Sequence, residues 1–285
     1  MAHTILVTGA TGTIGRDVTK ELAKRGAAVR AGVRDPGKAR EIFGPNITLT
    51  PFDFEDSSSF RSSLKDVTNV FVLPPLMLNQ VATTNAFVDA ARDAGVKHIV
   101  KLSAINADAE PHYTFGRWHA AEDKHIRNMG VAFTLLRPNS FMQNFINYFP
   151  PRDGVIYLPW GNGKASFIDA RDIARTAAAV LTEEGHQGKT YTLTGPKALG
   201  IGDVATVLSD VAKREIKYVD VPEAAARDGM LQDGLPQWQV DGVMELHTIN
   251  KRSLWATVTN DLQNITGQAA TTFAQFAHDH ADRFR

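Results

Sequence analysis

Val7-Thr-Gly-Ala-Thr-Gly-Thr-Ile-Gly15 is the stretch that decides how the rest of the chain is read. The apolar run Ile5-Leu6-Val7 leads into it, and Ile14, Val18 and Leu22 follow at helical spacing. A strand, a glycine turn and a helix therefore succeed one another. Gly9 can take the backbone angle that a sharp exit from a strand requires. Gly12 lacks a Cβ, so a pyrophosphate can approach the backbone, and Gly15 lets the helix lie tight on the strand. The helix start turns unpaired N–H groups and a partial positive charge toward phosphates, with Thr11, Thr13 and Ile14 around them. The spacing is Gly-x-x-Gly-x-x-Gly, not the commoner Gly-x-Gly-x-x-Gly. Its weight comes from the strand before it and the helix after it.

The alternation continues along the chain. Strand patterns fall at 27–33, 47–52, 69–73, 97–103 and 132–136; helix patterns fall at 36–42, 57–64 (capped by Ser57), 79–94 and 115–128. Such alternation implies parallel pairing through right-handed crossovers. The predicted fold class is α/β: a Rossmann-type doubly wound parallel sheet with a smaller, mostly C-terminal substrate-binding part. The dinucleotide-binding domain is placed at 1–138, with 165–194 returning to it, and the substrate-binding part at 139–164 and 195–285. Asp169 and Asp172 precede an apolar helix at 173–181 with the spacing of a helix cap, which favours capping over catalysis for both. A strand at 189–194, a helix at 201–213, a strand at 216–219 and a helical tail complete the chain, with no internal repeat.

Charge and composition exclude several functions. The 285 residues carry 31 basic and 31 acidic side chains and no net charge, which argues against a nucleic-acid or membrane surface. There is no cysteine, so disulfides, thiolate nucleophiles and cysteine metal sites are out. His278 and His280 lack a third ligand and read as a solvated helix face, so no metal is expected. Met1-Ala-His-Thr4 runs straight into the first strand without a basic or apolar leader, and a cytoplasmic protein, monomer or homodimer, is expected.

Ligands on a doubly wound sheet bind beyond the carboxyl ends of the strands. That rule gathers the glycine turn, Arg34, Asp53, Leu73, Pro74, Pro75 and Ser103 into one rim. Arg34 ends the second strand, where an arginine suits the extra phosphate of NADP; Lys38 adds charge one turn on. Asp35 either points away or repels that phosphate. NADPH is expected over NADH. Asp53 and Phe54 suit an adenine, as acceptor for its amine and as apolar wall, although Asp53 capping a turn is an equal reading.

A standard short-chain dehydrogenase carries Tyr-x-x-x-Lys on the helix after strand five. None of the five tyrosines is followed by such a lysine. The sequence does resemble the NmrA-like branch of the atypical short-chain dehydrogenases. The likeness rests on Val7 to Gly15 as quoted, Ala90-Ala-Arg-Asp-Ala-Gly-Val-Lys-His-Ile99, His119 with Glu122-Asp123, Thr134-Leu-Leu-Arg-Pro-Asn139 with Phe141-Met-Gln-Asn144, and Asp169-Ala-Arg-Asp172. Val180-Leu-Thr-Glu-Glu-Gly-His186 and Lys189-Thr-Tyr191 are similar to triphenylmethane reductase, and quinone and azo-dye reductases share the branch.

The resemblance aligns Phe115 with the missing tyrosine and His119 with the missing lysine. It implies hydride delivery from a nicotinamide without a tyrosine acid, to an acceptor already electrophilic: a quinone, an azo bond or a cationic dye. His119 and Tyr113 are then the candidate proton donors, His119 being equally readable as a helix residue paired with Asp123. Phe141, Met142, Phe145, Tyr148, Phe149 and Trp160 line a small aromatic acceptor's pocket or pack the core. Asn139 and Gln143 orient the acceptor or the nicotinamide amide. The branch also contains regulators that bind the dinucleotide without catalysis, and that alternative stays open; isoflavone-type reduction, which uses a lysine where His119 stands, ranks below both.

Overall fold

The computed structural model describes residues 4–110 and 112–285; Met1, Ala2 and His3, where the leaderless start was expected, lie outside the described residues. The first half runs β1 (Thr4–Val7), α1 (Thr13–Lys24), β2 (Ala28–Val33), α2 (Pro36–Phe43), β3 (Thr48–Pro51), α3 (Ser58–Ser63), β4 (Asn69–Val72), α4 (Gln80–Asp93), β5 (His98–Leu102), α5 (Thr114–Asn128) and β6 (Ala132–Pro138). Then come α6 (Asn144–Asn147), β7 (Val155–Leu158), β8 (Lys164–Ala165), α7 (Ala170–Thr182), β9 (Lys189–Leu193), β10 (Leu199–Gly200) and α8 (Ile201–Ala212). The chain closes with β11 (Lys217–Asp220), α9 (Glu223–Gln232), α10 (Gln237–Lys251), α11 (Asp261–Thr266) and α12 (Phe273–Asp279).

Seven strands form one parallel sheet in the order β3-β2-β1-β4-β5-β6-β9. This is the Rossmann-type doubly wound sheet, with successive strands added outward in opposite directions on either side of the β1/β4 boundary. Side chains alternate across a strand, so each strand feeds two cores. Ile5 and Val7 pack with Val18, Leu22 and the α7 residues Ile173 and Ala177. Leu6, Val70 and Val72 pack on the opposite face with Phe60, Phe87 and Ile126. A third cluster joins Met142, Phe145, Trp160 and Phe167 to α8, α10 and α12. There β11 pairs in parallel with β7, and β10 runs antiparallel to β8.

Several local expectations change. β6 runs to Pro138, past the expected end at 136, because Asn139 N–H bonds the Leu193 carbonyl at 2.9 Å and keeps the chain against β9. Ser57 sits before α3 with its hydroxyl uninvolved; Asp56 accepts the Ser58 N–H instead, at 3.0 Å. Asp169 does cap α7, accepting from Arg171 N–H at 2.9 Å. Asp172 does not turn back to the cap. It accepts from the N–H and hydroxyl of Thr271 at 2.7 and 2.8 Å, clipping the C-terminal tail onto α7. Among the described residues no helix is long and apolar enough to cross a membrane.

Gly9 takes φ +59° at the turn, and a Cβ on Gly15 would stand 2.2 Å from the Gly9 carbonyl oxygen. Backbone cannot yield as a side-chain tip can. Gly15→Ala is therefore expected to cost about 1–3 kcal/mol in urea unfolding. Gly202→Ala, on α8 with nothing within 4 Å of a new Cβ, should instead be neutral or stabilising.

His98 is buried on β5, its Nε2 2.9 Å from the Thr134 hydroxyl, which itself donates to the His186 carbonyl at 2.7 Å. Burial, with the nearby His186, pushes its pKa down to about 4. The unfolded chain takes this proton near pH 6.5 and the folded one does not. Stability should fall as pH drops from about 6.5 toward 4, by up to about 1.4 kcal/mol per unit from this residue. Urea midpoints across that range should flatten in His98→Gln.

Candidate functional site

The chain leaves β1, turns over Gly9 and enters α1 with Gly12 at its cap position. Gly12 N–H donates to the Gly9 carbonyl and Arg16 N–H to the Gly12 carbonyl, both at 3.0 Å. Glycine brings no side chain to cap the helix, and no side-chain cap is present. The first N–H groups of α1 are thus left for another acceptor, and Thr13 and Ile14 line a cavity of about 1300 Å³. A helix start with open N–H groups favours an anion. The volume exceeds the about 300–1,000 Å³ that houses a drug-sized ligand, leaving room for an extended dinucleotide beside a second molecule.

The cavity follows the carboxyl ends of the strands. Gly9, Thr11 and Gly12 line it after β1, Arg34 after β2, Asp53 and Phe54 after β3, and Leu73, Pro74 and Pro75 after β4. Ser103 follows after β5 and Asn139 after β6. Gly15 lies beneath this wall, packed on Gly9. Arg34 is exposed at the rim. Asp35 is not its rival: its carboxylate accepts the Lys38 N–H at 3.1 Å and caps α2. Lys38 is not among the residues that line the cavity. Asp53 accepts from Glu55 N–H at 3.0 Å, as a turn cap does, and it also lines the cavity. Phe54 is buried edge-on against Phe52 and Phe87 and shows the cavity only part of its ring.

Beneath the rim lies a charge network that residue patterns did not reveal. Lys101, mid-sheet on β5, is fully buried. Its ammonium lies 2.9 Å from Glu122 Oε2, 2.9 Å from Asp123 Oδ1 and 3.1 Å from His119 Nδ1. Asp123 also accepts from the Ser103 hydroxyl at 2.7 Å and from Arg137 at 3.0 Å, and Arg137 grips Asp108 with both nitrogens at 2.7 and 2.9 Å. Burial by itself would raise the Glu122 and Asp123 carboxyls. The ammonium and the hydrogen bonds outweigh it, and both are held below the ordinary carboxylate range. A lysine inside the apolar run His98-Ile-Val-Lys-Leu102 was the available signal.

This network redefines His119. Its partner is not Asp123, which faces Lys101, Ser103 and Arg137, but Lys101, with Glu122 at 3.4 Å. An ammonium only donates, so Nδ1 accepts and the ring proton sits on Nε2. Burial and the Lys101 charge lower the His119 pKa, favouring the neutral ring. His119 lines the cavity with its side chain 19% exposed, as a hydrogen-bond donor without charge. Tyr113 also lines the cavity, but its hydroxyl proton is committed to the Ile105 carbonyl at 2.7 Å, and burial raises its pKa. It cannot release that proton to an acceptor without losing the bond.

Asn139 and Gln143 line the cavity yet are tied elsewhere. Asn139 donates to Ser166 Oγ and the Trp255 carbonyl at 2.7 and 2.8 Å; Gln143 bridges Asp169 and the Ala170 N–H at 2.9 and 3.0 Å. They hold β6 and α7 in place; Asn139 commits both of its amide protons, while Gln143 commits one. Phe141, Tyr148, Phe149 and Trp160 border the cavity; Met142 and Phe145 do not, being sealed among Phe167, Phe273 and their neighbours. The far wall comes from the tail. Val243, Leu246 and His247 of α10 and Trp255 complete it. Helix α10 is docked by Glu245, which accepts Thr114 N–H at 2.5 Å, and by Gly242, whose missing Cβ would meet the Phe115 ring at 2.3 Å. Among the described residues no group of three or more acidic or histidine side chains is placed to hold a metal.

The strand order, the open helix start at the switch point and a cavity along the carboxyl rim define a Rossmann-type fold of the short-chain dehydrogenase class, without the Tyr-x-x-x-Lys pair. Residues 1–271 match the NmrA-like family, and the chain belongs to it. It is 37% identical over 282 residues to the NAD(P)H azoreductase of Xenophilus azovorans, covering 98% of this chain and 99% of that protein. It is similar to the NADPH-dependent quinone oxidoreductase of Escherichia coli complexed with NADPH, with a TM-score of 0.87 at 27% identity, covering 97% and 99% of the two chains. The triphenylmethane reductase of Citrobacter sp. matches with a TM-score of 0.85 at 25% identity, covering 97% and 99%.

Removing one partner from a buried ionic network leaves the others uncompensated. Lys101→Met should cost about 3–5 kcal/mol in urea unfolding, and adding Glu122→Gln and Asp123→Asn should recover part of it. A loss under about 1 kcal/mol in the single variant would show that the network carries little stability.

Proposed function

We propose that this protein is an NADPH-dependent reductase that delivers hydride to an electrophilic aromatic acceptor of the quinone, azo-dye or triphenylmethane-dye type. The observation that carries this reading is the single cavity that starts at the uncapped end of α1 and finishes among Tyr148, Trp160 and Trp255. In this reading the pyrophosphate rests on Gly12, Thr13 and Ile14, Arg34 takes the extra phosphate, and Asp53 with Phe54 borders the adenine. Pro74, Pro75 and Ser103 flank the nicotinamide end. NADPH supplies the hydride when bound. The chain's own part is to align the two rings and keep water from the apolar end of the cavity. The acceptor takes up a hydride and, where its product requires one, a proton from water. The names of the relatives, an NAD(P)H azoreductase and an NADPH-dependent quinone oxidoreductase, support the same class of reaction.

Three outcomes test this reading. NADPH absorbance should fall when the protein meets a quinone or an azo dye. Tight NADPH binding with no turnover on any acceptor would instead indicate a dinucleotide-sensing regulator. Arg34→Ala should raise the KM for NADPH about tenfold or more and barely change that for NADH, since a charge-assisted bond to phosphate is lost. His119→Leu combined with Tyr113→Phe should retain activity within about tenfold, whereas a loss of about a thousandfold would establish general acid catalysis.

A further inference from the structure

His247 lies on α10, far along the chain from the residues of the carboxyl rim. Trp160 donates its indole N–H to His247 Nδ1 at 2.8 Å. An indole nitrogen has a proton to give and no lone pair to receive one, so this bond exists only while Nδ1 is unprotonated. The ring proton then belongs to Nε2 and the imidazole is neutral. Burial favours the same state, with the ring 6% exposed and its pKa pushed down to about 4. Among the described residues no protein group accepts from Nε2, and Nε2 is not fully buried. The ring lines the cavity beside Leu246, Trp160 and Trp255. An apolar wall therefore carries one polar handle, a neutral donor of fixed tautomer.

We propose that His247 recognises the acceptor by donating Nε2–H to a carbonyl oxygen, and that Trp160 is the positioning residue that fixes which ring nitrogen donates. The identity of the occupant rests on the reductase reading above; the donor and its tautomer do not. A carbonyl oxygen fits better than a cation. Of the carboxylates that line the cavity, Asp233 is paired with Arg152 at 2.9 Å, while Asp53 and Glu55 follow β3 at the other end; Glu223, outside the lining but close enough for its charge to act on His247, is paired with Lys251 at 3.2 Å. His119, whose Nδ1 is held by the Lys101 ammonium, presents a second neutral donor to the same cavity. An end of the cavity with uncharged donors and its lining carboxylate paired selects oxygen-bearing acceptors, because an occupant without that oxygen leaves a desolvated donor unmatched.

The test compares menadione, which carries carbonyl oxygens, with malachite green, a cationic dye that has none. KM is measured with NADPH, and Kd is measured on the NADP⁺-loaded protein by tryptophan fluorescence. His247→Phe should weaken menadione about tenfold in KM and Kd while leaving malachite green within about twofold. His247→Gln, whose amide can donate, should recover part of the loss. Trp160→Phe should weaken menadione as well, by letting the ring change tautomer. Unchanged NADPH affinity in all three variants reports an intact fold. Equal effects on both ligands, or identical behaviour of His247→Phe and His247→Gln, would overturn the assignment. If the wild-type protein reduces neither acceptor, the reductase reading fails, and the Kd arm still decides His247: about tenfold weaker menadione in His247→Phe supports it and equal affinity refutes it.

Discussion

An ammonium group buried at the centre of a sheet cannot share its charge with water, so the protein around it has to. Lys101 meets that demand with three neighbours, Glu122, Asp123 and His119, all on α5. The arrangement fixes α5 against β5. Through Asp123, Ser103 and Arg137 it also fixes the ends of β5 and β6, where the cavity floor lies. Ser103 and His119 reach the cavity from positions that the same charge cluster determines. The stability of this region and the geometry of the site are one constraint.

The cavity belongs to two structural systems. Its part along the strand ends follows from the parallel sheet, because every strand ends on the same edge and the first helix begins there uncapped. Its other half is built by segments that come much later in the chain. Trp160 precedes β8, and α10 is held by Glu245 on Thr114 and by Gly242 on Phe115. The two histidines that face this half share a chemical logic. Each has Nδ1 held by a partner that can only donate, Lys101 for His119 and Trp160 for His247. Both are thereby set as neutral donors. Such groups offer a hydrogen bond to an oxygen without supplying a full charge.

The glycine stretch and the strand–helix alternation were enough to reach the fold and the rim, because they are local facts: a turn that only glycine makes, and apolar spacing that repeats every two or every 3.6 residues. Arg34, Asp53, Pro74 and Ser103 could be placed from sequence because in a parallel sheet the residue after a strand has only one edge to occupy. Side-chain pairing was not legible in that way. Asp123 stands four residues from His119, a helical pairing distance, yet it turns to Lys101 and Arg137, since buried charges pair with the strongest partner in reach. Asn139 and Gln143 look like ligand contacts in sequence and serve as internal ties. Met142 and Phe145 sit beside cavity residues but face the core.

The sequence by itself determined where the chain turns, which runs become strands, and which edge carries the phosphate-ready helix. Backbone sterics and hydrophobic period act over a few residues and need no distant partner. Only the tertiary structure decided that Lys101 sets the state of His119, and that Trp160 does the same for His247 across 87 residues of chain. Those assignments depend on distances between groups that only the closed fold brings within reach, and on burial that leaves each polar atom no water to fall back on.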